Sequence, residues 1–267
     1  MKHVGLLFPF GLCFAALFSF TVNCYASEIV LQQNWGGNPY YGCTDAWLDA
    51  GNKHHNNGGD DNLHVEWYNG LSDDTVIKFD LTGQIPANQH ITSATLSLYY
   101  NTAVDFSTNE AVSITAYRLA PGNSWYENTG VNLNGQGVNW DYHDQYQTSP
   151  WTNENGGWND KVDDGDGTVK IKKTGGTPQD AIEPMNWANW NVTNTVSLWY
   201  GDTENDGFLL VATNHEGDTD LAYGEFDSKE SERYNWYYRP ILTIDYVPEP
   251  ATLLLLGLGA TLLRKRS

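Results

Sequence analysis

The side chains best suited to chemistry in this chain are aromatic, because its 267 residues include 11 Trp and 16 Tyr. An exposed Trp or Tyr ring can stack on the flat C–H face of a sugar and remove apolar surface from water without using a charge. We predict carbohydrate-binding rings in segments rich in Gly, Asn and Asp. They are Trp67, Tyr68, Trp140, Tyr142, Trp151, Trp158, Trp236 and Tyr237, the last followed by Tyr238. The alternative for any single ring is that it only pins a loop to the core.

Three other indoles lie in segments with strand or helix periodicity. They are Trp47, Trp190 and Trp199, and we predict that all three belong to the core.

Acidic residues are grouped in three Gly- and Asn-rich loops. A calcium ion takes about six to eight oxygen ligands from carboxylates and carbonyls on a turning backbone, so such loops are candidate metal sites. The candidate ligands are Asp160, Asp163, Asp164 and Asp166 in one loop and Asp202, Glu204 and Asp206 in the next. Glu216, Asp218 and Asp220 form a third group. We predict at least one structural calcium ion, and the alternative at each loop is a solvated turn.

Histidines and acidic residues also lie close together between residues 54 and 64. His54, His55 and His64, with Asp60 and Asp61, could bind zinc or copper. Their spacing follows no regular ligand pattern. A flexible polar loop is therefore the favoured interpretation.

The sequence contains no recognisable catalytic motif. It lacks a G-x-S-x-G nucleophile turn, a zinc-protease helix and a phosphate-binding loop. We therefore predict no catalytic residues and no enzyme activity. A secreted glycosidase or lyase is the alternative, because glycosidase chemistry depends on carboxylate separations that a sequence does not contain.

The first 26 residues have the pattern of a secretory signal peptide. Lys2 precedes an apolar run from Val4 to Phe20, and small residues precede Ser27 at the positions that signal peptidase reads. We predict cleavage after Ala26 and an exported chain. Cys43 is then the one remaining cysteine. We predict that it packs as a small buried hydrophobic residue, with an intermolecular disulfide as the alternative.

Residues 247–267 combine three features in order. Val247-Pro248-Glu249-Pro250 is followed by the apolar run Ala251 to Leu263 and by Arg264-Lys265-Arg266. As a helix the run would reach about 20 Å, less than the roughly 30 Å core of a bilayer. The three parts resemble the PEP-CTERM sorting signal of Gram-negative bacteria. This resemblance implies processing by an exosortase and delivery to the cell surface or extracellular matrix. A C-terminal transmembrane helix that stays as a plain anchor is the alternative.

Removal of the two terminal signals leaves a strongly acidic body. Of the 14 Lys and Arg and 33 Asp and Glu, 10 basic and 32 acidic residues remain, which gives a net charge near −22. This charge repels phosphates and excludes nucleic acid as the default partner. It attracts divalent cations, and it repels acidic polysaccharides unless calcium bridges them.

Residues 27–246 are predicted to form one all-β domain. Strand-like runs occur at 75–80, 91–100, 112–116, 208–212 and 241–246. Many short strands between Gly and Asn turns favour a jelly-roll-type β-sandwich. We predict one short helix that ends at Gly201, with Thr193 as its N-cap. Residues 120–185 are predicted to be long loops pinned by Trp, with one hairpin around Gly165-Asp166-Gly167.

Short sequence pieces along most of the body resemble DNRLRE-type domains, which are similar to disaggregatase-related and jelly-roll carbohydrate-binding modules. The pieces lie at 31–33, 41–48, 62–65, 77–81, 94–98, Trp125 with Glu127, 150–151, 156–157, 190–193 with Val196 and Trp199, 205–208, 226–230 and 239–242. The chain departs from the pattern at His64, and at Lys78, where Arg is usual. The resemblance implies an extracellular β-sandwich that accompanies polysaccharide enzymes, and it implies no catalytic residues.

Together these features predict an exported, surface- or matrix-sorted, non-catalytic protein. We expect it to associate with extracellular polysaccharide, to be stabilised by calcium and to touch the membrane only through its C-terminal segment. The alternatives are the secreted glycosidase or lyase and a purely structural matrix component with no defined ligand.

Overall fold

Antiparallel strands make up most of the regular structure in this computed structural model. It describes residues 26–34, 40–68, 71–104, 111–131, 133–134, 136–151, 160–162, 165–212, 222–233 and 237–249. The strands are β1 (Ser27–Gln32), β2 (Cys43–Leu48), β3 (His55–Asn56), β4 (Asn62–Tyr68), β5 (Leu71–Phe79), β6 (Gln89–Val104), β7 (Val112–Arg118), β8 (Leu133–Asn134), β9 (Thr168–Ile171), β10 (Asn186–Asn191), β11 (Phe208–Ala212), β12 (Ala222–Asp227) and β13 (Ile241–Pro248). The helix is α1 (Thr193–Tyr200).

The sheet consists of two layers. In the first layer, β6 pairs with β13, β10 and β12, while β1 extends the sheet beyond β13 and β4 extends it beyond β12. In the second layer, β5 pairs with β2 and β11, followed by β7 and β9. Pairing of β4 with β5 joins the layers at one side. This architecture confirms the prediction of an all-β sandwich with one short helix.

The main core lies between the layers. Alternation in each strand directs every second side chain inward, so Leu96 and Phe226 of the first layer share one cluster with Ile114 and Phe208 of the second. The predicted core indoles Trp190 and Trp199 belong to it. The single remaining cysteine, Cys43, is also buried there as a free thiol.

A second core covers the outer face of the second layer. Leu209 and Val211 of β11 point into it, while the alternate residues of β11 point into the main core, so every residue of this strand is buried. The cover comes from the described loop residues between β7 and β9, which contribute Trp125, Trp140 and Trp151. The predicted long loops pinned by indoles therefore lie on this face.

The helix and the predicted hairpin differ in detail from expectation. Helix α1 ends at Gly201, but Thr193 is its first residue and Val192 occupies the N-cap. The hydroxyl of Thr193 instead accepts the backbone N–H of Ala94 at 2.9 Å, which ties the helix to β6. The predicted hairpin differs as well, because β9, which follows Gly167, pairs with β7 and not with a strand next to it in the sequence.

Both predicted terminal signals lie largely outside the residues that the structure describes. The described body runs from Ala26 to Glu249 as one unit. Within the described residues, no helix is long and apolar enough to cross a membrane. The C-terminal apolar run, like residues 1–25, lies outside the described residues.

Candidate functional site

The outer face of the first layer carries a row of four uncharged residues, of which all but Ile241 are polar. Gln32 lies opposite Ile241, Ile241 opposite Ser97, and Ser97 opposite Asn189. Residues opposed across antiparallel strands project from the same face, and the residues on either side of Ser97, Asn189 and Ile241 are buried. The row therefore crosses β1, β13, β6 and β10 on the side away from the main core.

Aromatic rings stand at one end of this row. Tyr99 of β6 lies opposite Trp187 of β10. Strand β13 pairs with β6 up to Ser97 and β12 pairs from Tyr100 onward, so the connection between β12 and β13 lies beside Tyr99. That connection brings in Tyr237 and Tyr238.

The four rings support one another. Tyr99 and Tyr238 stack with ring centroids 3.8 Å apart, and Trp187 meets Tyr99 edge-on at 5.5 Å. Tyr237 meets Tyr238 at 5.2 Å and Trp187 at 6.4 Å, both edge-on. Offset and edge-on pairs are favourable ring geometries. The cluster thus holds Tyr237 at its rim, where 49% of that residue remains exposed.

The rings and the polar row together form a groove of about 400 Å³, which we name the aromatic groove. Its lining residues are Val30, Gln32, Ser97, Trp187, Asn189, Tyr237, Ile241 and Thr243. The buried amide of Gln32 donates to the carbonyl oxygens of Tyr237 and Arg239 at 3.0 and 2.8 Å. The edge strand β1 therefore fixes the loop that carries the exposed ring.

The groove has the chemistry expected of a site for uncharged sugars. None of its lining residues carries a charge. Stacking on Tyr237 and Trp187 could remove roughly 50–100 Å² of apolar surface from water, worth about 1–2.5 kcal/mol. Ser97, Asn189 and Thr243 supply hydroxyl and amide groups that can exchange hydrogen bonds with sugar hydroxyls.

The other predicted aromatic residues are placed differently. Trp140 and Trp151 are only 6% and 2% exposed, so they have no open ring face and act as the loop pins that were the alternative for each. Tyr142 is half-buried, with its ring 6.0 Å from that of His54. Trp158 and Trp236 lie outside the described residues, as do the side chains of Trp67 and Tyr68 in β4.

The predicted calcium ligands are not gathered within the part of the chain that the structure describes. Asp206 is buried, and one of its oxygens accepts the N–H groups of Gly122 and Asn123 at 2.9 and 3.0 Å. Asp202 and Glu204 are exposed. Asp160 is buried and Asp166 is half-buried, while Asp163, Asp164 and the third acidic group lie outside the described residues. Calcium binding at these loops stays a prediction.

His64 and His54 contact different residues. His64 stacks on Trp47 at 4.3 Å, and its Nε2 lies 3.8 Å from Glu225. His54 lies 3.7 Å from Asp141. Among the described residues they do not form a metal-ligand group.

A different group of carboxylates converges beside the second layer. Asp45 of β2, Glu127 of the covering loop and Glu230 of the turn after β12 bring one oxygen each within 4.8 Å of the others, which is close enough to hold a metal ion. Glu127 accepts the backbone N–H of Asp45 at 2.6 Å, and Asp45 accepts that of Lys229 at 2.9 Å. The Lys229 ammonium lies 3.1 Å from Glu127 and also pairs with Glu230, so a lysine supplies positive charge to this group.

Burial strongly affects the proton affinity of this carboxylate cluster. Burial raises the pKa of Asp45 well above its ordinary value, and the Glu230 and Glu127 carboxylates raise it further. Burial also raises the pKa of Glu127 to about 7, although Lys229 acts in the opposite direction. Burial disfavours the Lys229 cation, but the Glu127 and Glu230 carboxylates outweigh it and raise its pKa.

The carboxylate cluster cross-links three parts of the fold. Glu127 and Asp45 accept backbone N–H groups within the cluster, and the Lys229 ammonium pairs with Glu127 and Glu230. The aromatic groove is lined by none of the three. The arrangement ties β2, the covering loop and the β12 turn together.

Sequence reasoning missed Trp187 and Asn189 in the groove, and also Tyr99, which supports the rings beside it. The alternation in β10 could have found two of them, because Ala188 and Trp190 point into the core and Trp187 and Asn189 must then point outward. The contribution of Tyr99 depends on the register between β6 and β10, which no local pattern contains. The carboxylate cluster joins residues 45, 127 and 230 and has no local signature either.

Comparison with known proteins identifies one segment of the chain. Residues 247–267 match the PEP-CTERM protein-sorting motif, which confirms the predicted sorting signal. No curated protein matches the chain. The motif indicates an exported protein that is sorted to the cell surface, with an exosortase as its processing partner.

Proposed function

We propose that this protein is a non-catalytic polysaccharide-binding protein of the extracellular matrix of a Gram-negative bacterium. The aromatic groove is the observation that carries the proposal, because it combines supported rings, neutral polar groups and an open sheet face. The resemblance of the body to DNRLRE-type domains supports the same ligand class. Before processing, the C-terminal apolar run would anchor the chain in the membrane.

Affinity electrophoresis of the purified full chain tests the proposal. Gels that contain single polysaccharides should retard the chain in at least one case. Tyr237→Ala should remove most of the retardation, because it deletes the exposed ring of the groove. Tyr146→Ala is the matched control, since Tyr146 is 67% exposed in the covering loop and does not line the groove.

The same samples separate the alternatives. New reducing ends or unsaturated sugars would contradict the non-catalytic part of the proposal and favour a glycosidase or lyase. No retardation by any polysaccharide, with recovery in the matrix fraction, would instead favour a structural component.

A further inference from the structure

Three depressions on the surface of the body adjoin one another. Val30 lines both the aromatic groove and a second cavity of about 330 Å³. Asp80 lines both that second cavity and a third of about 700 Å³. The shared residues make the three depressions contiguous, from the outer face of the first layer, over the edge strand β1, to the loop that follows β5.

The second cavity carries an aromatic ring that the fold holds in the open. Tyr41 is 67% exposed. The preceding Tyr40 is anchored, because its carbonyl accepts the N–H of Asn34 at 2.9 Å and its hydroxyl donates to the carbonyl of Asp80 at 3.0 Å. At Gly42, a Cβ atom would lie 2.6 Å from the Tyr40 hydroxyl and 2.9 Å from Asp80, so glycine permits this close packing. The Tyr41 hydroxyl donates to Oδ1 of Asn34 at 3.4 Å, while most of the residue stays open to solvent beside the cavity.

The third cavity adds hydrogen-bonding groups rather than an exposed ring. Tyr200 lines it, but its hydroxyl donates to the carbonyl of Pro86 at 2.8 Å and accepts the N–H of Gln89 at 2.9 Å. Asp80, Asp202 and Glu249 bring carboxylates to the lining. Carboxylates accept hydrogen bonds from sugar hydroxyls and repel anionic sugars.

From this arrangement we infer that the protein binds the interior of an extended, uncharged polysaccharide chain along all three depressions, and not a chain end in one pocket. The inference rests on the proposed function and adds Tyr41 as a stacking residue outside the aromatic groove. Contiguous open depressions suit a continuous polymer. The neutral groove and the acidic remainder of the track favour a ligand without negative charge.

The test uses the full chain with whichever neutral polysaccharide retards it most, and with oligosaccharides of two to eight units prepared from that polymer. Calorimetric affinity should rise at least about tenfold from the shortest to the longest oligosaccharide. Tyr41→Ala should lower the affinity for the longest by about tenfold and leave that for the disaccharide unchanged. Tyr237→Ala should weaken both, and Tyr146→Ala should weaken neither.

The outcomes distinguish the two proposals. Binding that does not depend on length, or a Tyr41→Ala variant that binds the longest oligosaccharide normally, would overturn the extended track and leave the aromatic groove intact. Retardation by acidic polysaccharides alone would overturn the uncharged ligand. Failure of every polysaccharide to bind would overturn the proposed function itself. Near-UV circular dichroism of each variant confirms that the fold is retained.

Discussion

Side chains of the same type take different roles according to what covers their sheet face. Trp140 and Trp151 lie over the second layer, where the covering loop and β11 enclose them. Tyr237 lies over the first layer and keeps half of its surface exposed. The Nε1–H of Trp151 donates to the carbonyl of Asn139 at 3.0 Å, as a buried indole requires.

Lys229 provides a residue-scale test of the carboxylate cluster. Lys229→Met removes the ammonium beside Glu127 and Glu230 and leaves these half-buried carboxylates, with the buried Asp45, without its charge. We expect the free energy of unfolding at pH 8 to fall by about 3 kcal/mol, and by less at pH 5, where Asp45 and Glu127, whose pKa values are raised, take up protons. Urea unfolding measures both values. Lys170→Met, at an exposed position of β9, is the control and should change stability by less than about 0.5 kcal/mol. Equal losses in the two variants would contradict a structural role for the cluster.

At the scale of elements, β13 links the body to the sorting signal. The matched motif begins at Val247, which is still inside this strand. Val247 and Pro248 pair with His90 and Gln89 of β6, and the N–H of Glu249 donates to the carbonyl of Asn88 at 3.0 Å. The first residues of the motif are therefore part of the folded sheet.

Truncations at this junction should separate the sheet from the signal. Residues 27–249 retain every pair between β13 and β6, whereas residues 27–244 lose those from Asp245 to Pro248. We expect the longer fragment to melt cooperatively and the shorter one to melt several degrees lower, because the lost pairs also include those between β13 and the start of β1. Circular dichroism on heating gives both midpoints. Indistinguishable midpoints would show that the end of β13 adds nothing to stability.

For the molecule as a whole, buried acids should make stability depend on pH. Burial raises the pKa of Asp73 and of Asp74 to about 8, and that of Asp227 to about 6. An acid with a raised pKa binds its proton more tightly in the folded state. The stability it contributes is full below the unfolded pKa near 4 and is lost as pH rises through the folded value.

We therefore expect fragment 27–249 to be more stable at pH 5 than at pH 8. The midpoint of thermal unfolding should fall by roughly 5–10 °C between the two. Asp74→Asn should reduce the fall, because it removes one buried group that ionises in this window. Calorimetry between pH 5 and pH 8 measures the midpoint of each protein. A midpoint that is highest at pH 8 would contradict the prediction.

The acidic body also leads to the prediction about calcium. A net charge near −22 disfavours the compact state through repulsion, and a bound divalent cation would relieve it. We expect excess calcium to raise the midpoint of thermal unfolding above that in chelator, and sodium chloride of equal ionic strength to raise it less. Equal midpoints in calcium and in chelator would contradict the prediction of a stabilising calcium ion.

The local features of this protein could be predicted from sequence because their information is contiguous. Alternation in 91–100 and 241–246 identified β6 and β13, the residues up to Gly201 identified the helix, and the sorting motif is an unbroken segment. The site could be predicted only in part. Tyr237 was among the expected binding residues, but nothing local distinguished it from Trp151.

Tertiary structure decided which rings remain exposed and which acids meet. The covering loop packs on the second layer and leaves the groove side of the first layer open. The register of β1, β13, β6 and β10 aligns Gln32, Ser97 and Asn189 beside the rings. Such contacts join residues far apart in the chain, so they depend on packing between layers and on strand register, which the order of neighbouring residues does not specify.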